Sequence, residues 1–254
     1  MKFDVNSDLG EGFGQWTVAD DNAILDYVTS ANVACGFHAG DAVHMSRVAE
    51  KARARKIAIG AHIGLPDRMG FGRVPMMADK KTMRNLAIYQ LGALDAIARA
   101  AGHQMTHANA HGAWSNGRGG DEEFPMVLVN AIRDFSRDLI VAANPASRFF
   151  SLARKTGIRM VGKVYADRAY EENGLLVKRS VPGSIINDLV VVEKRIREFA
   201  EDQTVQTLSG KRIKVDAQTI LVHSDTPGSL DIIKTVVETL RNGGAQIAPL
   251  NELA

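Results

Sequence analysis

Four histidines and five acids each follow a short apolar run in this sequence. Phe3 to Val5 runs into Asp8 and Glu11, Ala31 to Ala34 into Cys35 and His38, and Ile57 to Ile59 into His62 and Asp67. Further on, Met105 to Ala108 leads to His111, Met160 to Tyr165 to Asp167, and Thr219 to Val222 to His223 and Asp225. Imidazoles with carboxylates are the groups of general acid–base catalysis and of zinc, manganese or magnesium coordination. Asp8 is the first candidate for general base or metal ligand. His38 and His62 would join it around a divalent metal, and His111 supplies a third catalytic imidazole.

Other residues of the same types read differently. Asp41 suits a helix N-cap. His44 and His103 fall in helix or loop contexts and are expected at the surface, and His107 is expected to face a helix from its strand. Gly60 and Gly64 flank His62 and would let a ligand approach the backbone closely. Cys35 is the only cysteine; a small buried residue at a strand end explains it better than a nucleophile does. Gly10, Gly12 and Gly14 make a tight turn, and no GxxxxGK[ST] phosphate loop occurs anywhere in the chain.

For these groups to meet, the runs must be parallel strands whose carboxyl ends open on one face. The pattern supports this. Strand-like segments at Lys2–Ser7, Ala31–Ala34, Ile57–Ala61, Met105–Ala108, Asp138–Ala142, Ile158–Tyr165 and Thr219–Val222 alternate with helical periodicity at Asp20–Val28, Val43–Ala54, Lys80–Ala101, Glu122–Asp134, Ile185–Glu201 and Ser229–Arg241. A final strand is expected near Gln246–Pro249, weak strands around Ser209–Lys214, and a glycine-rich loop at Gly117–Gly120. Seven or eight such units in 254 residues predict one α/β domain over 1–254, built as a distorted (β/α) barrel. The 31 basic and 29 acidic residues are evenly mixed, with no basic tract for nucleic acid. No apolar stretch reaches the roughly 18 residues of a membrane span. With one cysteine and a start that reads directly into a strand, the expected location is cytoplasmic.

Five motifs carry a family likeness: DVNSDLGEGFG from Asp4, SANVACGFHAGD from Ser30, GAHIGLPDRMGFGR from Gly60, YADRAYEENG from Tyr165 and VHSDTP from Val222. In order and over nearly the whole chain they resemble the LamB/YcsF family, the family of 5-oxoprolinase A-type subunits. The resemblance implies a distorted barrel similar to polysaccharide deacetylases. It also implies a share in the ATP-dependent opening of 5-oxoproline to glutamate, together with B- and C-type subunits. The chain departs from the family pattern at several points. A Lys-Pro-His-Gly-Ala-Leu-Tyr-Asn run is replaced by Asn109-Ala110-His111-Gly112-Ala113-Trp114-Ser115-Asn116. A glutamate before the Ala-Asp-Arg motif is replaced by Lys163, and His-Gly-Asp becomes His223-Ser224-Asp225. Lysine has left one site position and appeared at another, which predicts a cation moved across the cleft and an altered ligand preference.

A lactam resists water because amide resonance deactivates its carbonyl, so its oxygen must be polarised or phosphorylated before water adds. Arg73 and Arg168 would then clamp the substrate carboxylate, since a guanidinium fork matches its plane. Asp167 would orient Arg168 or meet the ring nitrogen. Glu11, Asn109, Lys163, His223 and Asp225 complete the expected substrate-binding set. ATP would sit partly or wholly on a partner chain. Two other readings stand beside this one: a metal-dependent amide hydrolase or deacetylase working without ATP, and a non-catalytic lactam-binding subunit. The oligomeric state is open, a homo-oligomer included.

Overall fold

The computed structural model describes residues 1–76, 78–116 and 123–253, with no side-chain description at Ser115 and Asn116. The expected loop at Gly117–Gly120 therefore lies outside the described residues. The strands are β1 (Lys2–Leu9), β2 (Ser30–Ala34), β3 (Ala58–Ile63), β4 (Met105–Ala110), β5 (Ile140–Ala143), β6 (Met160–Tyr165), β7 (Thr204–Gln206), β8 (Arg212–Lys214), β9 (Thr219–Val222) and β10 (Gln246–Ile247). The helices are α1 (Asp21–Ile24), α2 (Ala42–Arg55), α3 (Lys80–Ala100), α4 (Gly112–Asn116), α5 (Glu123–Phe135), α6 (Arg148–Lys155), α7 (Leu189–Asp202) and α8 (Ser229–Asn242).

Strands β1 to β6 pair in sequence order, and β9 closes the ring by pairing in parallel with both β6 and β1. The result is a closed seven-stranded parallel barrel. β10 adds beside the start of β1, and β7 with β8 forms a separate antiparallel hairpin where weak strands were expected.

The alternation in β1 explains the architecture. Phe3, Val5 and Leu9 face outward into the main apolar core, where Phe3 meets Phe199 of α7 at 5.6 Å between ring centroids. Asp4, Asn6 and Asp8 take the other face, inside the barrel. A polar barrel interior is stable only if its groups satisfy one another, and these do. Asn32 Nδ2 donates to Asn6 Oδ1 at 3.0 Å and to Asp8 Oδ1 at 2.9 Å, while Thr219 Oγ1 donates to Asp4. A second, small apolar cluster of Ile140, Ala142, Val161 and Leu250 fills the amino-terminal end of the barrel.

His107 belongs to this interior, not to a helix-facing surface as expected. Its Nε2 lies 3.2 Å from Asn32 Oδ1, and burial pushes the ring down to about 3. The space beside it comes from Gly60, one strand over: a Cβ there would fall 2.2 Å from His107 Cδ2. Gly60 thus makes room for an imidazole and not for a ligand.

His44 is a second correction. It is buried on α2, with Nδ1 3.0 Å from Asp41 Oδ1. Asp41 caps that helix as expected, accepting from the Val43 and His44 backbone N–H groups at 2.9 Å each. His103 is half-buried, with Nε2 donating to the Ile57 carbonyl at 2.9 Å. Among the described residues no helix is long and apolar enough to cross a membrane.

Candidate active site

The strand carboxyl ends bring together Glu11 from the loop after β1, His38 from the loop after β2, His62 on β3 and His111 just past β4. One ligand atom from each of these four lies within 4.8 Å of the others, and all four residues are buried. The rings of His38 and His111 stack at 4.0 Å and 10°, and His62 stands edge-on to both at 88°. Glu11 Oε1 is 3.5 Å from His38 Nε2 and 3.8 Å from His62 Nε2. The expected partners His38, His62 and His111 do converge. Glu11 joins them from the loop before α1, which begins only at Asp21. Asp8, expected among the metal ligands, stands beside the four-residue cluster: its Oδ2 is 3.5 Å from His62 Nε2 and its Oδ1 is taken by Asn32.

Local backbone chemistry shapes this packing. Gly64 leaves its side-chain space to His38, whose Nδ1 would be 2.2 Å from an added Cβ. As at Gly60, the expected room for a ligand is filled by an imidazole.

A line of polar contacts runs behind the cluster. The Phe71 carbonyl can only accept, so His111 Nε2 donates to it at 2.7 Å. His111 Nδ1 lies 2.9 Å from His62 Nε2, and His62 Nδ1 lies 3.1 Å from the Asn109 side-chain amide. Asn109 Oδ1 in turn accepts from Lys163 Nζ. The two substituted positions are therefore in contact. The expectation of a cation moved across the cleft is not met in this geometry, since Lys163 and Asn109 are one bonded pair on the same side.

Burial dominates the electrostatics. It pushes His38 and His62 well below the ordinary imidazole range, with the adjacent histidines, Arg73 at His38 and Lys163 at His62 adding to the effect, and it pushes His111 to about 3 against the Phe71 hydrogen bond. These rings are neutral at physiological pH. Burial raises Asp8, partly countered by His223 and Lys163. Glu11 is raised well above the carboxylate range by burial and then by Asp8 and Asp225. Lys163 is lowered to about 8 by burial, against the pull of Asp8.

Glu11 Oε1 and both ring nitrogens of His38 are buried without a hydrogen-bond partner among the described residues. Orphaned polar atoms in a dry site are costly. Three imidazoles and one carboxylate converging on them form the donor set that zinc and similar divalent ions take. The residues present fit a divalent metal.

On the opposite side of the mouth, His223 Nδ1 lies 3.0 Å and 3.1 Å from the two oxygens of Asp167, which also accepts from Thr226 Oγ1 at 2.5 Å. Burial works to raise Asp167, but its interaction with His223, these hydrogen bonds and the Arg179 guanidinium outweigh it and hold the carboxyl below the usual carboxylate range. Asp167 thus holds His223 through Nδ1, and His223 Nε2 is left as the nitrogen that can exchange a proton. Arg168, expected as a carboxylate clamp, donates to the Ser184 carbonyl at 3.2 Å and to the Val177 carbonyl at 2.6 Å, bracing its own loop.

Arg73 does reach the mouth, where it donates to Asp225 Oδ2 at 2.7 Å. Three contributors escape a reading of the sequence. Ser224 donates to Glu11 Oε2 at 3.1 Å, Tyr165 stacks on His223 at 5.4 Å, and Arg179 donates to Asp225 Oδ1 at 3.1 Å. Ser224 and Tyr165 sit inside the VHSDTP and YADR motifs, which was the available signal. Arg179 lies in a plain Lys-Arg-Ser stretch with no signal at all.

The chain is similar to several known proteins in sequence and fold. A 5-oxoprolinase A-type subunit from Bradyrhizobium diazoefficiens is 44% identical over 253 residues, covering 100% of this chain and 99% of that one. The crystal structure of a lactam utilization protein from Thermus thermophilus superposes with a TM-score of 0.92 at 33% identity, covering 98% of this chain and 100% of that one. The catalytic domain of a peptidoglycan N-acetylglucosamine deacetylase from Eubacterium rectale shares the fold, with a TM-score of 0.51 at 12% identity over 98% of this chain and 87% of that one. The LamB/YcsF family model matches residues 3–254. With that span and these relatives, the chain belongs to the LamB/YcsF family.

Proposed function

We propose that this protein is the A-type component of an ATP-dependent 5-oxoprolinase, a hydrolase that opens 5-oxoproline to glutamate with separate B- and C-type subunits. The observation that carries the reading is the buried cluster of Glu11, His38, His62 and His111 at the mouth of a barrel whose relatives carry that name. Residues 1–254 act as one domain in this reading, placed in the cytoplasm.

The reaction adds water to the lactam carbonyl carbon and breaks the ring C–N bond, so one proton must leave the water and one must reach the departing nitrogen. Asp8, beside His62, is positioned to take the first. His223, held by Asp167 through Nδ1, can deliver the second from Nε2. Glu11, His38, His62 and His111 would hold a divalent metal, which when bound would polarise the carbonyl oxygen. Lys163 and Asn109 orient His62 from behind. Partner-bound ATP would phosphorylate the lactam oxygen with loss of ADP. Water addition and C–N cleavage would then leave an acyl phosphate, which a second water hydrolyses to glutamate and phosphate. A partner site for ATP is consistent with the lack of a Walker-type loop in this chain.

The test is reconstitution with B- and C-type subunits, 5-oxoproline, ATP and magnesium, reading glutamate release. Glutamate should require this chain, its partners and ATP together, and the chain alone should release none. Glutamate formed at full rate without this chain would overturn the proposal. Turnover by the chain with a divalent metal and no ATP would favour the deacetylase-like reading instead.

A further inference from the structure

At the cleft mouth, three loops meet in one ionic contact. Arg73 comes from the loop after β3, Arg179 from the long loop after β6, and Asp225 from the loop after β9. Arg73 Nη2 donates to one oxygen of Asp225 at 2.7 Å and Arg179 Nη2 to the other at 3.1 Å. Burial alone would raise Asp225, but Arg179 and Arg73 hold it at about 2, so it is always an anion.

Two features set this contact apart from a structural salt bridge. Each guanidinium can present five N–H donors, yet the one hydrogen bond recorded for each among the described residues goes to a single carboxylate oxygen. Two cations also face one anion, leaving a net positive charge. The side chains of Arg73 and Arg179 keep 37% and 25% of their exposure, so as a stabilising device the contact is weak.

Its position is close to the chemistry. Ser224, next to Asp225, donates to Glu11, and the Arg73 guanidinium lies 4.9 Å from the centre of the Phe71 ring, whose carbonyl holds His111. A small ring with its carbonyl at the histidine cluster would carry its substituents toward this pair.

We propose that Arg179, with Arg73, is the specificity-determining receiver for the carboxylate of the lactam substrate, and that Asp225 occupies this receiver until the substrate carboxylate replaces it. The inference rests on the lactam reading above and adds the residue that selects the acid. An incoming carboxylate exchanges for Asp225 ion for ion, so the guanidinium groups are never left without a partner. A neutral lactam has no group to make that exchange. Arg179 thereby takes the role that Arg168, spent on two backbone carbonyls, does not fill.

The test is calorimetry of the full chain with 5-oxoproline and with its neutral amide. The wild type should favour the acid by about tenfold or more, the range of a charge-assisted pair. Arg179→Gln should cost the acid about tenfold while leaving the amide nearly unchanged. Asp225→Asn, which removes the internal competitor, should raise the acid-to-amide ratio. Equal losses for acid and amide in Arg179→Gln, or a lower ratio in Asp225→Asn, would overturn the proposal. If the wild type binds neither lactam, the lactam reading falls, and titration with glutamate then decides the receiver by itself: no binding, or binding indifferent to Arg179→Gln, overturns it.

Discussion

Replacing Lys163 by methionine should make this protein more stable while disabling its site. Lys163 is 3% exposed inside the barrel, and its ammonium donates to the amide oxygen of Asn109. Burial lowers it from the ordinary 10.5 to about 8. Each pH step is worth ~1.4 kcal/mol, so keeping the charge buried costs the fold about 3 kcal/mol at neutral pH. Methionine has similar length and no charge, but it leaves Asn109 Oδ1 without its donor, a loss of about 1 kcal/mol. The net gain at pH 7 is about 2 kcal/mol, or roughly 4–8 °C in Tm for a chain of this size. The sign with pH follows from proton counting. Between pH 8 and 10.5 the unfolded chain binds more protons at this lysine than the folded one, so wild-type stability rises with pH across that window. The advantage of Lys163→Met should therefore be full below pH 8 and shrink as pH climbs to 10.5. Urea unfolding of chelator-treated protein at pH 7 and at pH 10 measures it. A methionine variant less stable than wild type at pH 7, or a difference that does not change with pH, would refute the reasoning.

Gly60→Ala should destabilise by about 3 kcal/mol, because the new methyl would overlap the His107 ring inside a packed barrel; a urea midpoint within error of wild type would contradict that contact. Burial pushes the Cys35 thiol up to about 12, so iodoacetamide at pH 8 should leave native protein unlabelled and label it only in denaturant, as mass spectrometry would show. Asp167→Asn should lower kcat of the reconstituted enzyme by about 100-fold with little change in KM, because His223 loses the carboxylate that fixes its tautomer while the substrate loses no contact.

The barrel was legible because its strands are short, apolar on alternate positions and followed by helical periodicity. β1 shows this in eight residues, with Phe3, Val5 and Leu9 outward and Asp4, Asn6 and Asp8 inward. The convergence of His38, His62 and His111 followed from parallel topology alone. What the sequence hid are the facts that depend on neighbours across the sheet. His107 looked like a residue facing a helix because its inward partners, Asn32 on β2 and Gly60 on β3, are far away in sequence. Helix α1 stops at Ile24 although its apolar spacing runs on to Val28, since Leu25 already makes the turn. The start of α7 is set by Asp188, which caps Val190 and Val191, so the expected first turn from Ile185 is loop. Arg168 and Arg179 were indistinguishable by type, and only the carbonyls of Val177 and Ser184 decide which of them is committed to structure.

The central claim is that the cluster of Glu11, His38, His62 and His111 is where the lactam is opened. The most direct measurement is ATP-dependent glutamate release by the reconstituted complex carrying Glu11→Gln or His38→Gln in this chain, with Tm and complex assembly checked in parallel. Both side chains carry buried atoms without hydrogen-bond partners, so neither substitution breaks a bonded network that holds the fold, apart from the single Ser224 contact to Glu11. The account predicts folded, assembled complexes that lose at least ~100-fold in glutamate release. Wild-type rates in both variants would contradict it.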